Sequence, residues 1–168
     1  MGKKKDTGKN FEAEIRRSLR CSKHIWWFRI QDTNDINRFV KIAVAEKQPA
    51  DFFTVYRSRP IMIEAKTSRN LTSFPLYYGE TKSIAKHQIR EGKQLVRKGG
   101  ISLILIRREE FRNKKCYAIT PSQAEYLYSK KFGKKSVKWA WFEKNAKEVE
   151  RLKAPLRWNL HKLYEQVI

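Results

Sequence analysis

The chain has 168 residues, and its 38 Lys and Arg against 17 Asp and Glu give a formal net charge of +21. A hydrophobic fraction of 40% and a length suited to one domain exclude a disordered basic tail. Such an excess of positive charge predicts an anionic partner, and nucleic acid is the commonest one. A phospholipid surface is less favoured, because the basic residues are spread along the whole chain.

Several protein classes are excluded by what the chain lacks. Two cysteines, Cys21 and Cys116, and three scattered histidines cannot make a disulfide framework or a multi-cysteine zinc site. The N-terminus has no apolar signal region, and no apolar run is long enough to span a membrane. We therefore expect a cytoplasmic protein (in the host cytoplasm if the gene is viral) with no membrane association and no small-molecule cofactor.

The chain reads as one domain over residues 1–168, beginning with a flexible basic arm over residues 1–8. The spacing of Phe11, Ile15 and Leu19 predicts a helix that ends near Cys21. The aromatic and β-branched run at 25–30 predicts a strand. The structure of residues 33–48, the candidate for a loop or stalk, is left open.

The next stretch predicts a β-hairpin. Two β-rich runs, 49–56 and 61–66, flank a turn of four residues, so Tyr56 is expected to pair with Ile61. This register puts Asp51, Glu64 and Lys66 on one face of the sheet, with Asp51 diagonal to Glu64. A slip of one residue would separate the two strands' side chains onto opposite faces.

The second half predicts alternating helices and strands. The elements expected are a helix over about 82–98 that ends at Gly99-Gly100, a buried central strand at 101–106, a strand at 114–119, a short helix at 121–131, and helices at 139–153 and 156–167.

The acidic hairpin face is a candidate phosphodiester-cleaving site. Asp51 and Glu64 offer hard oxygen ligands for Mg²⁺, and the backbone carbonyl of Ala65 offers a third. Bound magnesium polarises phosphate and lowers the pKa of a water, and Lys66 can stabilise developing negative charge. The alternative is an ordinary strand on which Lys66 pairs with Asp51.

The first helix adds a third carboxylate. At about 100° per residue, Glu12 lies near the Leu19 edge of the apolar stripe and is expected to border the sheet. Glu14 lies off the other edge and is expected to point to water. The alternative role for Glu12 is an ion pair with Arg16 one turn later.

These residues together resemble a known family. Gly8-Lys9-Asn10-Phe11-Glu12, Pro49-Ala50-Asp51 and Glu64-Ala65-Lys66 resemble the PD-(D/E)XK nuclease superfamily. Glu64-Ala65-Lys66 with Thr72-Ser73-Phe74-Pro75-Leu76 and His87-Gln88-Ile89 is more specifically similar to the RecU-type Holliday-junction resolvases, whose archaeal relatives are the Hjc-type resolvases.

The resemblance implies an α/β fold with a restriction-endonuclease-like core, a mixed central β-sheet flanked by helices. It implies a homodimeric endonuclease that uses Mg²⁺, with Mn²⁺ as a substitute, to nick two opposed strands of four-way junction DNA. Asp51 and Glu64 would be metal ligands with the Ala65 carbonyl, Glu12 a ligand directly or through water, Lys66 the catalytic lysine and Gln88 a supporting residue.

Residues 33–48 would be a shortened form of the stalk that the family places before the central aspartate. The residues expected to contact DNA are Lys3, Lys4, Lys5, Lys9, Arg16, Arg69, Phe74 and Tyr77. Core packing is equally favoured for Phe74, and core or dimer packing is favoured over base stacking for each of the five tryptophans. Two alternatives stay open: a PD-(D/E)XK nuclease for other DNA structures, and a non-catalytic nucleic-acid-binding module.

Overall fold

The computed structural model describes residues 7–30, 48–110, 114–152 and 157–168. The helices within these ranges are α1 (Thr7–Arg20), α2 (Lys86–Arg97), α3 (Pro121–Leu127), α4 (Trp139–Asn145) and α5 (Leu160–Val167). The strands are β1 (Trp26–Arg29), β2 (Phe52–Tyr56), β3 (Arg59–Ser68), β4 (Ser73–Pro75), β5 (Tyr77–Tyr78), β6 (Thr81–Lys82), β7 (Ile101–Arg108), β8 (Lys115–Ile119), β9 (Ser136–Lys138), β10 (Lys147–Glu148), β11 (Arg151–Leu152) and β12 (Arg157–Trp158). None of the described helices is long and apolar enough to cross a membrane.

A mixed sheet of six strands forms the centre of the fold, in the order β1-β2-β3-β7-β8-β10. The pair β3 and β7 is parallel, and the other neighbouring pairs are antiparallel. Helices α1 and α5 pack on one face, and α2, α3 and α4 pack on the other. The α/β fold with a mixed central sheet flanked by helices is therefore confirmed.

The hairpin of β2 and β3 has a tighter turn than the sequence predicted. Tyr56 pairs with Arg59, so the turn contains only Arg57 and Ser58, which both have positive φ angles of 47° and 61°. Two successive left-handed residues match a type I′ turn, whose twist suits a two-residue hairpin. The predicted register was wrong by two residues. Because side chains alternate with a period of two, the shift preserves which residues share a face.

Several predicted boundaries were wrong. Helix α1 begins at Thr7, so Thr7 and Gly8 are helical and do not belong to an arm; residues 1–6 lie outside the described ranges. Strand β3 extends from Arg59 to Ser68, beyond both ends of the predicted run at 61–66. The predicted helix at 82–98 begins at Lys86, and that at 121–131 ends at Leu127.

The C-terminal region departs most from the prediction. The helix expected over 139–153 ends at Asn145, and Lys147–Glu148 then forms an edge strand on β8. Strands β11 and β12 pair with each other, and the last helix begins at Leu160 instead of 156. Pairing with a distant strand satisfies backbone groups here and overrides the local helical pattern.

Glu14 is buried and does not point to water as predicted. Its carboxylate pairs with Arg107, whose side chain is 0% exposed, and with Lys114 at 3.4 Å. It also accepts a hydrogen bond from the indole N–H of Trp158 at 3.2 Å. The guanidinium of Arg107 lies over the ring of Phe11. This cluster attaches α1 to β7 and β12.

We expect Glu14→Gln to lower the free energy of unfolding by about 3 kcal/mol, because breaking a buried ion pair leaves the Arg107 charge undercompensated. Glu125→Gln is the matched control, since Glu125 is 59% exposed in its pair with Lys93, and exposed pairs contribute at most about 1 kcal/mol. Urea denaturation at neutral pH measures both. Equal losses in the two variants would contradict a structural role for Glu14.

Candidate active site

Asp51 lies directly before β2, and Glu64 lies within β3, close enough for its charge to act on Asp51. Phe52 pairs with Ile63, and the backbone N–H of Asp51 donates to the carbonyl oxygen of Ile63 at 3.1 Å, one residue before Glu64. Asp51 Oδ2 accepts a hydrogen bond from the backbone N–H of Ala65 at 2.7 Å. Lys66 Nζ lies 2.7 Å from Glu64 Oε1. The structure thus brings Asp51, Glu64 and Lys66 together on one face, and Lys66 pairs with Glu64 instead of Asp51.

Burial and mutual repulsion make this pair of carboxylates costly to ionise. Burial, followed by the negative charge of Glu64, raises the pKa of Asp51 from 3.8 to about 6. Burial also raises the pKa of Glu64, and Lys66 and Gln88 oppose that rise. Excess negative charge in a partly dry site is the condition that a bound cation relieves.

Gln88 connects the start of α2 to the carboxylates. Its Oε1 accepts a hydrogen bond from the backbone N–H of Ala85 at 2.9 Å, which caps the helix. Hydrogen bonding by its side chain also opposes the rise of the Glu64 pKa that burial causes. The predicted supporting residue therefore lies beside the acidic pair.

Glu12 approaches from α1, and its partner is Arg29. Its Oε2 lies 2.7 Å from Arg29 Nη2. Arg16, the partner considered from the sequence, contributes a positive charge that opposes the rise of the Glu12 pKa. Burial and the charge of Asp51 raise the pKa of Glu12, so it lies near the acidic pair. Sequence reasoning missed Arg29, although a basic residue at the end of an aromatic strand was a signal for it.

The donor set fits a hard divalent cation. Glu64 Oε2 is buried without a hydrogen bond of normal geometry to the described residues. Asp51 and Glu64 offer carboxylate oxygens, and Mg²⁺ commonly binds one or two carboxylates and completes its shell with water. Among the residues that the structure describes, no three His, Cys, Asp or Glu side chains form a ready-made metal cluster.

The residues predicted to contact DNA are divided. Lys9 and Arg69 are exposed, and Arg16 is half-buried. Lys3, Lys4, Lys5 and residues 33–47 of the predicted loop or stalk lie outside the described residues.

The two aromatic residues in that set pack against the protein. Phe74 is 1% exposed and its ring contacts those of Trp139 and Phe142, so a DNA contact there was wrong and its alternative of core packing is confirmed. Tyr77 is half-buried with its ring against Tyr128.

A mixed α/β sheet with two acids on neighbouring strands and a lysine two residues after the second fits the restriction-endonuclease-like core expected from the sequence. The sequence model of the RecU family, Recombination protein U, matches residues 21–164. The chain belongs to the RecU family.

Similar proteins include two curated relatives, each named Holliday junction resolvase RecU. The protein of Shouchella clausii is 32% identical over 111 residues, which are 66% of this chain and 47% of the relative. That of Geobacillus sp. is 42% identical over 57 residues, which are 34% of this chain and 26% of the relative. The matches thus span at most about half the length of these relatives.

One similar solved structure is that of Archaeoglobus fulgidus Hjc, a Holliday junction resolvase from an archaeal hyperthermophile. It matches 68% of this chain and 74% of its own, with 13% sequence identity and a TM-score of 0.39.

The raised pKa of Asp51 predicts that the acidic pair destabilises the metal-free protein at neutral pH. A carboxyl whose folded pKa is raised from 3.8 to about 6 contributes stability fully below pH 3.8 and loses it as the pH rises through about 6. Asp51→Asn keeps an acceptor for the Ala65 N–H and removes the charge. We expect it to raise the free energy of unfolding at pH 7.5 in EDTA by about 2 kcal/mol.

The difference in free energy of unfolding between Asp51→Asn and wild type should shrink at pH 4. It should also shrink when Mg²⁺ is added to both proteins, because the cation stabilises wild type more than the variant. Urea denaturation at the two pH values, with and without Mg²⁺, measures this difference. A variant less stable than wild type at pH 7.5 without metal would refute the repulsion.

Proposed function

We propose that this protein is a metal-dependent endonuclease that binds four-way DNA junctions and resolves them by nicking two opposed strands, in recombination and repair. The single observation that carries the proposal is the half-buried Asp51 beside the buried Glu64 with its partner Lys66, in a chain of the RecU family. The relatives are named Holliday junction resolvases, which supports junction DNA as the substrate.

Asp51, Glu64 and the carbonyl of Ala65 would hold the cation, for which we propose Mg²⁺, with Mn²⁺ able to replace it. The bound cation supplies Lewis acidity toward the scissile phosphate and lowers the pKa of a water. The N–H of Ala65 fixes one oxygen of Asp51 and leaves the rest of that carboxylate to bind. Glu12, held by Arg29, would act through a water.

Lys66 and Gln88 position the Glu64 carboxylate before substrate arrives. Lys66 Nζ engages Glu64 Oε1, which leaves Oε2 directed to the site. When the phosphate accumulates negative charge, the Lys66 ammonium, which lies beside Glu64, would stabilise it. Gln88 is anchored by the helix cap, and its hydrogen bond helps to stabilise the charged form of the same carboxylate.

The substrate and assembly follow from charge and symmetry. A net charge of +21 suits phosphates presented by several duplex arms. One chain carries one acidic pair, and symmetric nicking of two strands needs two, so we propose a homodimer with two-fold symmetry. Lys9, Arg16 and Arg69 are the described basic residues that we assign to phosphate contacts.

The test is cleavage of an immobile four-way junction with each strand labelled in turn, in Mg²⁺, beside matched linear duplex and flap DNA. Wild type should nick two opposed strands of the junction. Asp51→Asn should lose at least about 10³-fold in rate, because several kcal/mol of metal-dependent stabilisation is removed, while retaining junction binding. Glu125→Gln, on the exposed side of α3, should cut like wild type.

Each other outcome has a distinct meaning. Equal cutting of linear or flap DNA would favour a nuclease for another DNA structure. Junction binding without nicking in any divalent metal would favour a non-catalytic binding module. Full activity in Asp51→Asn would reject the assigned site.

A further inference from the structure

Three aromatic side chains form an exposed patch on the sheet, which we call the aromatic platform: Trp26 and Phe28 of β1 and Phe53 of β2. Trp26 is 60% exposed and Phe28 is 45% exposed. The ring of Phe28 lies 5.6 Å from that of Trp26 and 5.5 Å from that of Phe53, measured between centroids. Their mutual contacts hold the rings in one arrangement, although solvent reaches them.

The platform is on the same face of the sheet as the acidic pair. Phe28 pairs with Phe53, which pairs with Met62. Two residues further along the strands, the N–H of Ile30 bonds to the carbonyl of Asp51, and the N–H of Asp51 bonds to the carbonyl of Ile63, next to Glu64. A step of two residues is about 7 Å, so the platform borders the acidic pair directly.

Trp26 differs from the tryptophans that pack in the core. Trp139 and Trp158 are 3% and 1% exposed, and each lies in one of the two cores that flank the sheet. Core packing therefore does not explain Trp26. Large exposed apolar groups in a cluster mark a binding surface.

The position of the platform beside the acidic pair favours nucleic acid as the occupant. In the proposed function a DNA phosphate lies at that pair, so the bases next to that phosphate come within reach of the rings of Phe28 and Phe53. The net charge of +21 favours approach of the phosphates, and the rings offer flat faces to the bases.

We propose that the aromatic platform stacks unpaired bases of the DNA strand whose phosphate lies at the acidic pair. Bases inside a duplex are not available for such stacking, but bases at a strand exchange point can unstack. The platform then selects DNA by local unpairing, independently of base identity, because every base has a π face. The location next to the scissile phosphate rests on the proposed function; the binding of single strands does not.

The test uses oligo(dT) of twelve nucleotides as the probe, in the absence of divalent metal, with the full chain. Trp26→Ala and Phe28→Ala should each weaken binding by ~10-fold or more, while the slope of log Kd against log salt stays at the wild-type value, since no charge is removed. The matched control is Tyr126→Ala on α3, because Tyr126 is an exposed aromatic residue, at 46%, outside β1 and β2. Thermal unfolding checks that each variant folds.

Trp26→Phe separates stacking from loss of structure. It retains an aromatic face, so its affinity should remain within ~3-fold of wild type, while the quenching of tryptophan fluorescence by oligo(dT) should fall because the quenched fluorophore is gone. Wild-type affinity in both alanine variants would overturn the proposal. Sedimentation showing that Trp26→Ala converts a dimer to a monomer would also overturn it, in favour of a contact between two copies.

The failures of the two proposals differ. Loss of oligo(dT) binding in the alanine variants, with no junction nicking by wild type, would leave the platform standing and reject the nuclease. Junction nicking with unchanged oligo(dT) binding would reject the platform alone.

Discussion

Two carboxylates, Asp51 and Glu64, are held together against the free-energy cost of burying like charges, and much of the nearby structure offsets that cost. The N–H of Ala65 hydrogen-bonds to Asp51, Lys66 pairs with Glu64, and Gln88 both caps α2 and stabilises the charged form of Glu64. Each contact restrains a carboxylate while compensating its charge only in part. The negative charge that remains uncompensated favours the binding of a cation.

The placement of α1 depends on a different buried charge. Glu14 and Arg107, 93 residues apart in the chain, join the helix to the central strand β7. Phe11, Ile15 and Leu19 fix the same helix by apolar contact, but apolar packing alone tolerates rotation and sliding of a helix. The ion pair and the hydrogen bond from Trp158 specify one rotation, and that rotation directs Glu12 toward Arg29 of β1 and toward Asp51.

The parts that sequence predicted best are those governed by short-range periodicity. The acidic face of the hairpin was predicted correctly with a register wrong by two residues, because only the parity of the register decides the face. The exposure of Glu14 was wrong because its partner is remote in sequence, and helical angles place a residue at an edge without showing what lies beyond it. β10 was missed for the same reason, since its strand character comes from pairing with β8. Arg29 was missed because its role depends on a carboxylate of another element.

The sheet face that carries the acidic pair changes character over a few residues, and this change bears on how the protein acts. Across β1, β2 and β3, the row of Phe28, Phe53 and Met62 is apolar, and the next row contains Asp51 and Glu64. Stacking is independent of salt and base sequence, whereas cation-assisted contact with phosphate depends on charge. In the function we propose, adjacent rows with these two chemistries would engage the two halves of a nucleotide, base and phosphate, at one position. A strand with paired bases would satisfy only the second row, so the proposed arrangement would favour DNA that is locally unpaired at the scissile phosphate.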